Sequence, residues 1–246
     1  MAIRHYYAFD NDTTAKMQGN ALNANNWDVL RTDSADSAFA LERTVEAFEA
    51  NCLAAESYRQ AAGALLPRFD RANVTRIVSF GVGKGTLEWD LKHARPALGV
   101  YCADYTASAL DALRTLFPAC DGFIRFDMLQ DDYGRLYDGL SQTEGRAALL
   151  YRLSTEFTAA QWRQIFQALW TANVQHVFFV PTELLTARLA VNEAVQLTKG
   201  LLRGRRPTMC GWMYRRAAFM RMWQGLYDTE EVAMPGDTCL FCLTKK

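Results

Sequence analysis

The stretch Arg76-Ile77-Val78-Ser79-Phe80-Gly81-Val82-Gly83-Lys84-Gly85-Thr86-Leu87-Glu88 decides the fold. An apolar, β-branched run enters a loop with glycine at every second position, and a helical pattern begins at once. Glycine at such a junction permits φ > 0 and removes the Cβ that would block a close neighbour. The first amides of the new helix face outward with the positive end of its dipole. A polar or anionic group can therefore lie across the end of this strand.

The downstream residues extend the pattern. Gly99-Val100-Tyr101-Cys102-Ala103 reads as a second buried strand, and Asp104 follows it 19 residues after Gly85. A carboxylate about 20 residues beyond a glycine loop is placed to accept hydrogen bonds from both hydroxyls of a ribose. A third strand, Gly122-Phe123-Ile124-Arg125-Phe126, also ends in a carboxylate, Asp127, followed by Met128 and Leu129.

These residues resemble the class I S-adenosylmethionine-dependent methyltransferases. Members carry GxGxG after the first strand, an acidic residue after the second, and often Asp with an apolar residue after the third. The corresponding residues here are Gly81, Gly83 and Gly85, then Asp104 with Tyr105, then Asp127 with Met128. One departure is Ser79, at the place two before the first glycine where many members are acidic. The resemblance spans roughly residues 74 to 246, the size of one α/β domain. It implies a Rossmann-like doubly wound α/β sheet of seven strands ending in an antiparallel hairpin. It also implies S-adenosyl-L-methionine as cofactor and methyl transfer to oxygen or nitrogen of a small-molecule substrate. Phe80, Gly81, Gly83 and Gly85 would then bind the cofactor, with the glycines lining its methionine portion and Asp104 the ribose. Tyr105, Asp127 and Met128 would meet the adenine, and Arg152 a substrate or cofactor carboxylate. For Asp127, a helix cap or a surface carboxylate is the alternative.

Two other readings of the loop fit less well. A kinase phosphate loop needs glycine six residues before the lysine, where Val78 stands. A dinucleotide-binding loop would want glycine where Thr86 stands. A nucleoside phosphate kinase remains the enzymatic alternative. A non-catalytic cofactor-binding scaffold is the other.

The bulk numbers narrow the partners. Half of the 246 residues are apolar, 22% are charged, and 27 basic residues balance 27 acidic ones. A substantial core is expected, and nothing favours nucleic acid or an anionic membrane surface as partner. Six scattered cysteines give no disulfide framework and, like the absence of a signal-peptide core, suggest a cytoplasmic protein, with a homodimer possible. No cluster of Cys, His and Asp has metal-ligand spacing, so no metal is expected.

Residues 1–70 read as an N-terminal helical cap or lid, and 71–246 as the cofactor-binding domain. Within the cap, residues 37–66 read as one helix ended by Pro67. A packed helix on the sheet is the plainer alternative to a lid. Beyond residue 74 strands and helices alternate, and the last two strands, 226–233 and 238–244, are joined by a Pro235-Gly236-Asp237 turn. Residues 182–214 are expected to build the acceptor pocket.

Methyl transfer asks the protein mainly to hold nucleophile, methyl and sulfur in line, with a base only for a protonated acceptor. Three residues are placed for such a base. Glu156 follows the fourth strand, Glu183 follows the fifth, and His5 lies beside Tyr6 and Tyr7 in the extension. Glu156, like Arg152, is equally explained as an ordinary loop charge. His93 and His176 read as structural.

Overall fold

The computed structural model describes residues 2–9, 11–18, 23–32, 40–140, 145–205, 207–234 and 238–246. Among these, the chain runs β1 (Ala2–Ala8), α1 (Asn11–Lys16), α2 (Ala24–Thr32), α3 (Val45–Ala54) and α4 (Glu56–Arg71). It continues through β2 (Arg76–Phe80), α5 (Thr86–Ala94), β3 (Gly99–Asp104), α6 (Ala107–Leu116), β4 (Gly122–Arg125), α7 (Tyr133–Asp138) and β5 (Arg146–Tyr151). The last third holds α8 (Ala159–Thr171), β6 (His176–Val180), α9 (Ala187–Leu202), β7 (Pro207–Tyr214), α10 (Arg216–Trp223), β8 (Tyr227–Met234) and β9 (Thr238–Lys245).

Seven strands form one sheet in the order β4-β3-β2-β5-β6-β9-β8. The first five are mutually parallel, β9 runs antiparallel to β6, and β8 runs antiparallel to β9. The doubly wound sheet with its terminal antiparallel pair is as expected, and the turn at 235–237 lies outside the described residues.

Alternation along the strands explains why both faces are covered. Val78, Phe80, Ala148, Leu150, Val177 and Phe179 point to one side, where they meet Trp162, Phe166 and Phe219 of α8 and α10. Ile77, Ala147, Leu149, Phe178 and Val180 point to the other, against Phe48 and Cys52 of α3 and Leu65 and Phe69 of α4. With both faces buried, the central strands are near-continuously apolar, as a parallel sheet requires.

The extension differs from its sequence reading in two ways. It begins with a strand, β1, paired antiparallel with β7 from the far end of the chain. The single helix expected over 37–66 is two helices that break at Ala55 (ψ 72°), with 37–39 outside the described residues. Pro67 does not end the second helix but sits inside α4, which runs on to Arg71. The carbonyl opposite the proline ring belongs to Gly63, where both residues are exposed, while Leu65 and Phe69 anchor the helix to the sheet. Water can serve the lost hydrogen bond, and apolar burial on the opposite face outweighs it. Helices α3 and α4 are therefore the packed layer, not the lid.

Strand order reverses between β2 and β5, which opens a crevice beyond their C-terminal ends. That crevice organises the site.

Candidate active site

The glycine loop leaves β2 with left-handed backbone at all three glycines: φ is 63° at Gly81, 56° at Gly83 and 73° at Gly85. A Cβ on Gly81 would stand 2.4 Å from Leu153, so the turn closes tightly on the post-β5 segment. A Cβ on Gly83 would meet nothing within 4 Å, so this residue keeps an open side. Phe80 contributes only backbone here, because its ring is buried against Phe126 and Tyr133.

Asp104 stands at the tip of β3, only 1% exposed. Its Oδ1 accepts from the Thr106 amide at 2.9 Å and hydroxyl at 2.7 Å, and its Oδ2 lies 3.4 Å from the Gly83 amide. Strand tip and glycine loop thus form one construction. Arg31 of α2 completes it with a two-pronged pair to both carboxylate oxygens, at 3.3 and 3.2 Å.

Glu88, on the first turn of α5, is 2% exposed and takes the hydroxyl hydrogen bond of Ser79. The acidic residue missing before the first glycine is therefore replaced by one on the helix behind it. Burial, with repulsion from Asp104 and Asp90, lifts the Glu88 carboxyl to about 7. Sequence spacing did not reveal this residue, although a glutamate on an otherwise apolar helix face, beside Leu87 and Leu91, was a usable signal.

The opposite wall comes from the segment after β5. Arg152 has left-handed backbone (φ 58°), an uncommon state for a residue other than glycine. Its amide donates to Val180 at 2.8 Å and its carbonyl accepts from Thr182 at 2.7 Å, which hold the bend, while the side chain is exposed. Glu156 lies further along, half-buried, with the Trp27 indole donating to it at 3.4 Å. Burial raises its carboxyl to about 7 despite that bond and the nearby Arg31. Tyr105 is held protonated by burial and by the charges of Glu156 and Asp104.

The β1–β7 ribbon is docked by Gly211, whose φ of 122° lets the chain pass against the Thr155 carbonyl. The Trp212 amide donates to that carbonyl at 2.8 Å. This bulge, next to His5 in the register, brings the N-terminal strand beside Glu156. His5 Nδ1 meets Glu193 of α9 at 2.8 Å, a partner that sequence reasoning missed. Glu183 shares this neighbourhood, and partial burial and the Glu193 charge raise its carboxyl. The structure thus brings His5, Glu156 and Glu183 to one side of the crevice. His93 instead stacks on Trp89, and His176 contacts Thr244 across the sheet.

At the end of β4, Asp127 Oδ1 accepts the Leu129 amide at 2.8 Å, closing a local turn. Met128 is 8% exposed and part of the core beside the site. Lys84 pairs with Glu42 at 3.1 Å. Cys239 and Cys242 are buried free thiols on β9. Among the described residues no group of three His, Cys, Asp or Glu converges as metal ligands, and no helix is long and apolar enough to cross a membrane.

No protein-family profile and no curated protein matches this chain. Solved structures do. An O-methyltransferase family protein from Burkholderia thailandensis superposes with a TM-score of 0.59 at 16% identity, covering 81% of this chain and 58% of that one. A putative O-methyltransferase from Nostoc punctiforme gives 0.57 at 16%, covering 82% and 59%. Human N-acetylserotonin methyltransferase, solved in complex with SAM, gives 0.56 at 12%, covering 82% and 55%. The chain spans a little over half the length of these proteins. The chain therefore shares the Rossmann-like doubly wound fold of these proteins.

Proposed function

We propose that this protein is an S-adenosyl-L-methionine-dependent methyltransferase acting on oxygen or nitrogen of a small-molecule acceptor. The observation that carries the reading is the buried Asp104 carboxylate, joined to a glycine loop whose three glycines all adopt positive φ. When bound, the cofactor's sulfonium supplies an electrophilic methyl group.

The donor set fits that group. Asp104 would take the ribose hydroxyls and Gly81, Gly83 and Gly85 would pass beneath the methionine portion, with Tyr105 and Met128 near the base. Asp127 retains one carboxylate oxygen beyond its own turn for the adenine amino group. The carboxyl groups of Asp104 and Glu156 stand where a polyphosphate would need a cluster of cations. The kinase reading loses further ground because Lys84 is paired with Glu42 and Val78 stands where a phosphate loop turns on glycine.

The chain's own catalytic work is positioning and proton handling. A carboxylate on His5 Nδ1 fixes the proton there and leaves Nε2 as the acceptor. Glu156, lifted to about 7, is poised to take a proton from a hydroxyl or ammonium acceptor near neutral pH. Glu183 and Arg152 line the same rim for acceptor binding. Of residues 1–70, β1 and α2 act as the cap, while α3 and α4 pack on the sheet.

A thermal-shift comparison tests the reading. S-adenosylhomocysteine should raise the melting temperature and ATP with Mg²⁺ should not. Stabilisation by ATP alone would establish the kinase, and response to neither would mark a scaffold that has lost its site.

A further inference from the structure

The N-terminal segment does not merely lie near the crevice; it occupies the groups that would hold adenosine. Arg31 covers both oxygens of Asp104, with 7% and 0% of the two side chains exposed. Its guanidinium also bonds the Thr106 hydroxyl and stacks over Trp27, with 5.6 Å to the ring centroid. On the same helix, Asp28 receives the Ser108 hydroxyl of α6, and Trp27 donates to Glu156. Just beyond α2, the Leu41 amide returns to the Arg31 carbonyl at 3.0 Å, and Glu42 ties Lys84 of the glycine loop. One segment thus touches the strand tip, the loop and the opposite wall.

Oδ1 of Asp104 already accepts three donors and Oδ2 two. A carboxylate so saturated has no lone pair left for two ribose hydroxyls. We propose that α2 is a displaceable latch, in which Arg31 takes the face of Asp104 that an adenosyl ribose must take, so that cofactor entry requires Arg31 to leave. This rests on the methyltransferase reading. A ligand that binds only the unlatched state has its apparent affinity reduced by the fraction of molecules unlatched. The closed state is held by a buried two-pronged pair, whose loss frees on each Asp104 oxygen the place that a ribose hydroxyl would take.

Calorimetry with S-adenosylhomocysteine on wild type, Arg31→Ala and Ser108→Ala tests the latch, with hydrogen exchange read over residues 24–32. Arg31→Ala should bind about ten- to a hundredfold tighter than wild type. Ser108→Ala, which loosens α2 without touching Asp104, should bind tighter by a smaller factor, and serves if Arg31→Ala fails to fold. In wild type, the ligand should speed exchange over 24–32. Binding to wild type with no gain in either variant, or with slower exchange in α2, would overturn the latch and leave the methyltransferase reading intact. Absence of binding in wild type and both variants would overturn both.

Discussion

Replacing Glu88 by glutamine should stabilise the protein above neutral pH and do nothing in acid. Glu88 is buried beneath the glycine loop, with the Ser79 hydroxyl as its side-chain partner and two other carboxylates nearby. Its carboxyl rises from 4.5 to about 7, so the folded state holds a proton that the unfolded chain has released across that interval. The unfolded chain binds fewer protons there, and stability must fall as pH rises from about 4.5 through about 7. At about 1.4 kcal/mol per pH unit, the full loss from this one group is about 3 kcal/mol at pH 8. Glutamine keeps the shape and the bond to Ser79 but carries no charge. For a chain of this size, roughly 2–4 °C per kcal/mol predicts a gain of about 6–12 °C at pH 8 as an upper bound. Melting scans of both proteins at pH 4 and pH 8 measure it. Equal melting temperatures at pH 8, or an equal gain at both pH values, would refute the reasoning.

Other substitutions separate site from scaffold. Gly83→Ala strains a left-handed residue by about 1–2 kcal/mol but clashes with nothing, so it should melt within a few degrees of wild type. Its S-adenosylhomocysteine affinity should nevertheless fall by more than about tenfold, since the methyl enters the ligand's side of the loop. Gly211→Ala should do the reverse and destabilise by more than about 3 kcal/mol, because its Cβ would stand 1.7 Å from the Thr155 carbonyl oxygen. His5→Ala should lower turnover while cofactor affinity stays unchanged, a split read by steady-state kinetics against calorimetry. Glu156→Gln should flatten the rise of kcat through about pH 7 that Glu156 produces in wild type.

The parallel half of the sheet was legible because its information is local. Apolar runs, glycine at every second place and a carboxylate at a fixed spacing each have their physical cause within about 25 residues. The Thr158 capping box that opens α8 is equally local, its two partners lying three residues apart. The β1–β7 ribbon pairs residues about 200 positions apart, with polar His5 and glycine Gly211 at its bulge, so neither strand carries a clean alternation. Helix α9 fell in a region expected only to form a pocket, although Thr186 caps it by accepting the Leu189 amide. The positive-φ glycines and the buried Asp104 at the strand tip were read from position, but the arginine that covers Asp104 and the glutamate that meets His5 were not. Ion-pair partners are chosen by tertiary placement, and no spacing rule marks them. Pro67 misled for a related reason: the exposure of its lost bond and the packing of the opposite helix face are set by tertiary placement.

The central claim is that Asp104 and the glycine loop together hold one adenosyl group. Titrating S-adenosylhomocysteine by calorimetry into Arg31→Ala and into the double variant Arg31→Ala/Asp104→Asn measures it directly, because the latch is open in both. Binding to Arg31→Ala should be saturable and one-to-one, and the double variant should lose at least about a hundredfold, roughly 2.7 kcal/mol. Equal binding to both proteins would contradict it.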